Sequence, residues 1–287
     1  MKRLLLLSGK GGTGKTTTAA AFIQFARAKA FADCDVDAPN LHLLQNFQKE
    51  PKTETFLGGD KAQIAEDICT GCGLCIENCR FSAILDQGDR YTVNPIRCEG
   101  CGVCSYVCPV GAITLFPDAA GIRMLYTEDK VFSTARLKMG RGNSGKLVTE
   151  VKKSLLKNAP ECDLAIVDGS PGIGCPVIAS LSGMDLALVV AEPSQSGLSD
   201  LSRLVTAAGP LQTKLAVCVN KWDLSPEITD KIENFCVNNQ IPFLGKIPYD
   251  DIASTAVNQG KSIADIDCAA RDALYSVYLK TSNLLEI

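Results

Sequence analysis

No excess of positive charge runs through this chain. Its 29 Lys and Arg face 32 Asp and Glu, a formal charge of −3, so the electrostatic basis for nucleic-acid binding is missing. No apolar run approaches the roughly 18–20 residues needed to span a bilayer. Leu4–Leu7 is too short for a signal-peptide core and leads straight into a glycine-rich loop, so it reads as a buried strand. Disordered or low-complexity stretches are absent, aromatics are sparse at 6%, and the single histidine, His42, is expected to be structural. What is there is 287 residues with 46% hydrophobic content, enough for one large α/β domain and a small insert. Cysteine stands out, with 14. In a chain of this size without a signal peptide they point to metal binding rather than disulfides. The expected surroundings are then reducing, cytoplasmic and anaerobic.

Eight of the cysteines form two copies of Cys-x2-Cys-x2-Cys-x3-Cys: Cys69, Cys72, Cys75 and Cys79, then Cys98, Cys101, Cys104 and Cys108. This spacing serves two cubane iron–sulfur clusters, the fourth Cys of each run crossing to the other cluster. One 4Fe-4S cluster is expected on Cys69, Cys72, Cys75 and Cys108, the second on Cys98, Cys101, Cys104 and Cys79. Zinc favours two Cys pairs held apart by a longer loop. The segments Cys69–Ile84 and Cys98–Ile113 superpose without a gap, which predicts a pseudo-twofold ferredoxin module. Arg80 stands after Cys79 where ferredoxins usually have the Pro seen at Pro109; a cation there would make the two clusters unequal.

The second signal opens the chain. The apolar run Lys2–Ser8 delivers Gly9-Lys10-Gly11-Gly12-Thr13-Gly14-Lys15-Thr16-Thr17, and a helical pattern begins at Thr16. Strand, glycine-rich loop and helix N-terminus form a cradle of backbone N–H groups for phosphates. Lys15 is placed to reach the β and γ oxygens and Thr16 to hold Mg2+. Farther on, Leu164–Val167 is an apolar run closed by Asp168 and followed by Gly169-Ser170-Pro171-Gly172, a Walker B and switch II pattern. Gly140–Lys146 repeats the glycine-to-lysine spacing, but Leu147 follows it and no apolar strand is expected before it. Buried parallel strands are predicted at Lys2–Ser8, Leu164–Asp168, Leu186–Ala191, Leu215–Asn220 and Phe243–Ile247, with helices at Thr16–Lys29, Leu198–Ala208 and Pro226–Asn238 between them. The predicted fold is α/β, a P-loop NTPase with a doubly wound, mainly parallel sheet and an inserted small α+β bacterial-type ferredoxin. The ATPase domain is expected at 1–58 and 118–287, the ferredoxin at 59–117.

A second lysine inside the loop, Lys10, marks a deviant Walker A pattern, and here the chain resembles the MinD/ParA group of P-loop ATPases, which includes the nitrogenase iron protein. Within that group it is most similar to members carrying an inserted ferredoxin. The resemblance implies ATP and Mg2+ as ligands and a homodimer or paralogous heterodimer when ATP is bound, each Lys10 touching its neighbour's nucleotide. It implies that Asp35, in Asp33-Cys34-Asp35-Val36-Asp37, orients the attacking water and that Asp168 supports the Mg2+ shell. Asn220 would read adenine, and Pro248, Tyr249 and Asp250 would line the base pocket. Cys175 stands where the nitrogenase iron protein ligates a bridging cluster, but the second cysteine such a bridge requires is missing near Arg141–Ser144.

Three functions compete. The first is an ATPase that drives electrons to a protein partner; the second assembles or carries an iron–sulfur or other metal cofactor. A MinD-like positioning role is third, and Arg271–Ile287 offers only Arg271 and Lys280 as cations, poor for stable membrane association.

Overall fold

The computed structural model describes residues 1–45, 47–88 and 90–287. In chain order the strands are β1 (Lys2–Leu7), β2 (Ala30–Asp33), β3 (Lys52–Ile64), β4 (Ile84–Asp86), β5 (Tyr91–Val93), β6 (Ile113–Thr127), β7 (Val131–Leu137), β8 (Leu164–Asp168), β9 (Leu186–Ala191), β10 (Lys214–Asn220) and β11 (Phe243–Ile247). The helices are α1 (Lys15–Phe25), α2 (Leu74–Glu77), α3 (Val103–Val107), α4 (Ser144–Asn158), α5 (Cys175–Leu181), α6 (Gln195–Ala208), α7 (Pro226–Asn238), α8 (Asp251–Asn258) and α9 (Ala269–Leu285). The chain divides into two compact units. The first comprises Met1–Thr53, Arg123–Arg136 and Ser144–Ile287, the second Glu54–Ile122 and Leu137–Asn143.

The first unit is built on a parallel sheet in the order β11-β10-β9-β1-β8-β2-β7. Its central strands are buried from end to end, as the unbroken runs Leu4–Leu7 and Leu186–Ala191 require when helices cover both faces. Each fully buried Leu contributes about 1.5–3 kcal/mol relative to exposure. Helix α1 lays Ala19, Ala20, Phe22 and Ile23 into one core, where Phe22 meets Tyr278 of α9 edge-on at 5.3 Å. The buried stripe Ala270, Leu274, Val277, Thr281 and Leu285 makes α9 a packing helix. No helix among the described residues is long and apolar enough to cross a membrane.

One expectation is revised. A strand, β7, does precede Gly140–Lys146: Phe132, Ser133, Thr134 and Ala135 are buried while Arg136 points out. The charges at Arg136 and Lys138 hid it, although alternation at a strand end tolerates them. The second unit, Glu54–Ile122 with Leu137–Asn143, encloses the range 59–117. Strand β3 carries little hydrophobicity in its first half, exposing Lys52 to Glu54, so nothing in its composition announced a strand.

The second unit contains the cysteine repeat. The equivalent short helices α2 and α3 each start from a glycine in left-handed conformation, Gly73 and Gly102, both at φ 80°. Equivalent backbone bonds cross between the repeats, from Ala65 N to Ala112 O at 2.8 Å and from Asn94 N to Ala83 O at 2.7 Å. The hairpin β4–β5 is antiparallel, with Ile84 opposite Val93.

Candidate functional site

The C-terminal ends of β1, β2, β8 and β10 place their loops around a cleft of about 760 Å3 in the first unit. This is the edge where open parallel sheets bind ligands. The loop after β1 lines it from Lys10 to Thr17, together with Asp35, Asn220, Pro248, Tyr249 and Asp250. Gly12 and Gly14 sit at φ 82° and 91°, turning their backbone as a phosphate cradle demands. A Cβ on Gly14 would lie 2.3 Å from Asn220 Nδ2, which donates to Thr13 O at 2.8 Å. Asn220 therefore braces the loop itself. Gly9 is not on the cleft wall; a Cβ there would be 2.1 Å from Asp200 Cβ.

Asp168 is wholly buried at the end of β8 and holds two side chains of the phosphate loop. Its Oδ1 accepts from Lys15 Nζ, and its Oδ2 accepts from Thr16 Oγ1 at 2.6 Å. Asp33, equally buried at the end of β2, accepts backbone N–H bonds from Asp35, Asn40 and Leu41, each at 3.0 Å. Burial first, and the Asp168 charge second, push its carboxyl up to about 7. Asp33 thus clamps the backbone of the segment from Asp35 to Leu41. The Asp35 carboxyl, raised mainly by burial, accepts from Ala38 N at 3.3 Å and lines the cleft.

Lys10 is held by contacts within the chain. Its Nζ makes an ion pair with Glu192 Oε2 at 2.6 Å and hydrogen bonds to Ser194 Oγ at 3.3 Å and Ser196 Oγ at 3.2 Å. Sequence reasoning missed Glu192, although it stands just past the fully apolar β9, at the strand edge where ligands gather. Pro248, Tyr249 and Asp250 form one stretch of the cleft wall. Tyr249 N donates to Asp223 Oδ1 at 2.8 Å, and Asp250 caps α8 by accepting from Ile252 N at 2.9 Å and Ala253 N at 3.3 Å. Asp250 is thereby committed to the backbone. Past Asp168, helix α5 begins at exposed Cys175 and ends under Lys152 of α4. Lys152 Nζ donates to three carbonyls there, Ala179 O at 2.7 Å, Ser180 O at 2.8 Å and Ser182 O at 2.5 Å.

The residues fit a nucleotide with Mg2+. Thr13 Oγ1 is buried without a protein partner, the glycine loop offers its amides, and Thr16 and Asp168 put two oxygen ligands side by side, the donor set that Mg2+ takes.

The second unit holds two smaller cavities. One is lined by Cys69, Cys72, Cys75 and Cys108, the other by Cys98, Cys101, Cys104 and Cys79. Sulfurs accept backbone N–H bonds: Cys79 from Ala83 at 3.4 Å, Cys108 from Ala112 at 3.3 Å, and Cys98 from Ala62 at 3.5 Å. Among the described residues no three His, Cys, Asp or Glu side chains are arranged to hold a single metal ion.

A glycine loop between a buried strand and a helix, with a lysine and a carboxylate at its mouth, defines a P-loop nucleotide-binding protein. The chain belongs to the CobQ/CobB/MinD/ParA nucleotide-binding domain family, whose model matches residues 4–263. It is 29% identical over 299 residues to an uncharacterized Methanocaldococcus jannaschii protein, covering 99% of this chain and 97% of that one. It is 23% identical over 276 residues to a Pyrococcus horikoshii protein named iron-sulfur cluster carrier protein, covering 90% and 77%. The fold is shared with the septum site-determining protein MinD of Pyrococcus horikoshii in complex with Mg-ADP, at TM-score 0.54 and 17% identity, covering 99% and 96%.

Proposed function

We propose that this chain is an ATP-hydrolysing protein that handles iron–sulfur clusters, holding them on its eight-cysteine module and delivering or assembling them for a protein partner under control of its nucleotide. The observation that carries this reading is the pairing of a complete P-loop site with two thiol quartets, each around its own cavity, in one polypeptide. The crossed grouping, with Cys108 beside the first triplet and Cys79 beside the second, is that of a two-cluster ferredoxin. Apolar surroundings and N–H bonds to sulfur suit such clusters. The cluster-carrier name of a relative spanning 90% of this chain favours the carrier role over electron donation.

In the nucleotide site, the loop amides and Lys15 bind the phosphate oxygens, and Thr16 with Asp168 holds Mg2+, which supplies charge neutralisation for phosphoryl transfer. Lys15 leaves Asp168 Oδ1 for the phosphates, so Asp168 is free to turn to the ion's shell. Asp35 orients the attacking water. Two such subunits close over two ATP molecules, and Lys10 exchanges Glu192 for the neighbour's nucleotide. The working protein is cytoplasmic and binds neither nucleic acid nor membrane stably.

The test is cluster transfer. Anaerobically reconstituted protein is mixed with an apo-acceptor, with MgATP or a non-hydrolysable analogue, and compared with Lys15→Ala. ATP-dependent transfer lost in the variant supports the carrier reading. Clusters retained through turnover, with ATP-dependent reduction of an acceptor, establish the second reading, ATP-driven electron donation. Two intact thiol quartets are the observation that favours that second reading, since an electron relay needs both clusters to stay.

A further inference from the structure

The two halves of the cysteine module are related by a repeat, and two equivalent cations in it differ in burial. Lys61 and Arg90 occupy equivalent places in the sequence repeat, Lys61 eight residues before Cys69 and Arg90 eight residues before Cys98. Arg90 points to solvent, 67% exposed, and pairs with Glu66. Lys61 is buried at 7% exposure, and its Nζ donates to the backbone oxygen of Cys98. The next residue, Ala62, gives its N–H to Cys98 Sγ at 3.5 Å. The preceding residue, Asp60, lies so close that a Cβ on Gly100 would come within 2.0 Å of Asp60 O, whereas a Cβ on the equivalent Gly71 would meet nothing within 4 Å. Strand β3 therefore brings a buried ammonium and an extra N–H to the second quartet, and among the described residues the first quartet receives neither.

A cluster gains one negative charge when reduced, and its potential follows net charge, hydrogen bonds to sulfur and exposure. A buried cation beside one ligand favours the reduced form there and is little screened by salt. We propose that Lys61 sets the cluster on Cys98, Cys101, Cys104 and Cys79 at the higher reduction potential, so that the first electron entering the module resides on it. Lys61 acts through the ligand it touches; it is a positioning residue for charge, not a ligand. The sequence pointed instead to Arg80, which is exposed. The inference rests on the module holding two 4Fe-4S clusters. In the step concerned, one electron passes from dithionite to a cluster, and no bond to iron forms or breaks.

The experiment is an anaerobic equilibrium redox titration of the full reconstituted chain, followed by electron paramagnetic resonance. The wild type is expected to reduce in two separate one-electron steps. Cys101→Ser should alter the spectrum and potential of the upper step, and Cys72→Ser those of the lower. Lys61→Met is expected to lower the upper step's reduction constant at least tenfold, about 59 mV for one electron, leaving the lower step in place. Lys61→Arg should restore it, and Arg80→Met should shift neither step by that much. Should Lys61→Met fail to hold its clusters, the two Cys→Ser variants still decide, because both keep Lys61. Coincident wild-type steps, an upper step that follows Cys72, or an unmoved potential in Lys61→Met overturns the proposal. Protein that binds no iron after reconstitution overturns the cluster reading itself, a different result.

Discussion

Removing the ammonium of Lys15 tests the electrostatics of the phosphate site before any nucleotide arrives. Lys15 and Asp168 are almost fully withdrawn from water, with side-chain exposures of 6% and 0%, and Asp33 lies in the same buried group. Breaking a buried pair from one side leaves an uncompensated charge and costs about 3–5 kcal/mol. Lys15→Ala strands two carboxylates together, so that range applies to the nucleotide-free protein. The first unit has about 210 residues, a size at which 1 kcal/mol moves Tm by about 2–4 °C, so the expected fall is about 6–20 °C. The pH dependence has a definite sign. Asp33 carries its proton in the folded state up to about 7, against an ordinary 3.8, so its contribution to stability is complete below about 4 and is lost as pH rises to about 7. Lys15 opposes that rise, and without it the carboxyl is driven higher still. The deficit of Lys15→Ala relative to the wild type should therefore widen from pH 5 to pH 8. Thermal melts in chelator without nucleotide measure it. A variant melting within about 2 °C of the wild type at both pH values would refute the argument.

Three further outcomes follow from named contacts. Glu192→Gln removes the ion pair of Lys10, a partly exposed contact worth at most about 1 kcal/mol, so the melt should change little while ATP-dependent dimers form at lower protein concentration in analytical ultracentrifugation. Gly14→Ala meets both a left-handed backbone and Asn220 Nδ2; a strain of about 1–3 kcal/mol should lower nucleotide affinity roughly tenfold or more by calorimetry, and unchanged affinity would show that the loop is not braced there. Cys108→Ala should remove the cluster of the first triplet, not of its own motif. Mössbauer and iron analysis should then show the signals that depend on Cys72 gone and those that depend on Cys101 kept.

Sequence carried the elements whose physics is local. The P-loop was legible because its glycines, lysine and threonine must be contiguous, and Gly12 and Gly14 do take the backbone that pattern requires. The strands β8 and β9 were read with the boundaries found, since strands buried on both faces are almost continuously apolar. The grouping of eight cysteines into two quartets follows their spacing onto the cavity walls. Long-range polar contacts were not legible. Glu192 reaches Lys10 across 182 positions, and Lys61 finds Cys98 from a strand too polar to be recognised as one. Asn220 and Asp250, marked for the base, line the cleft, and their side chains also hold Thr13 O and the start of α8, contacts that position alone did not announce.

The three carbonyls gathered by Lys152 give α5 one pinned end and one loose end. At the pinned end the last turn is tied to α4 by a single buried cation, whose own charge burial disfavours, bringing it down to about 8. At the loose end the chain enters through Pro171-Gly172-Ile173-Gly174, with Gly172 at φ 95°. A rod fixed at its far tip turns a small change at its near tip into a swing. The glycine segment after Asp168 runs directly into the end that carries exposed Cys175, while the buried lysine fixes the opposite tip.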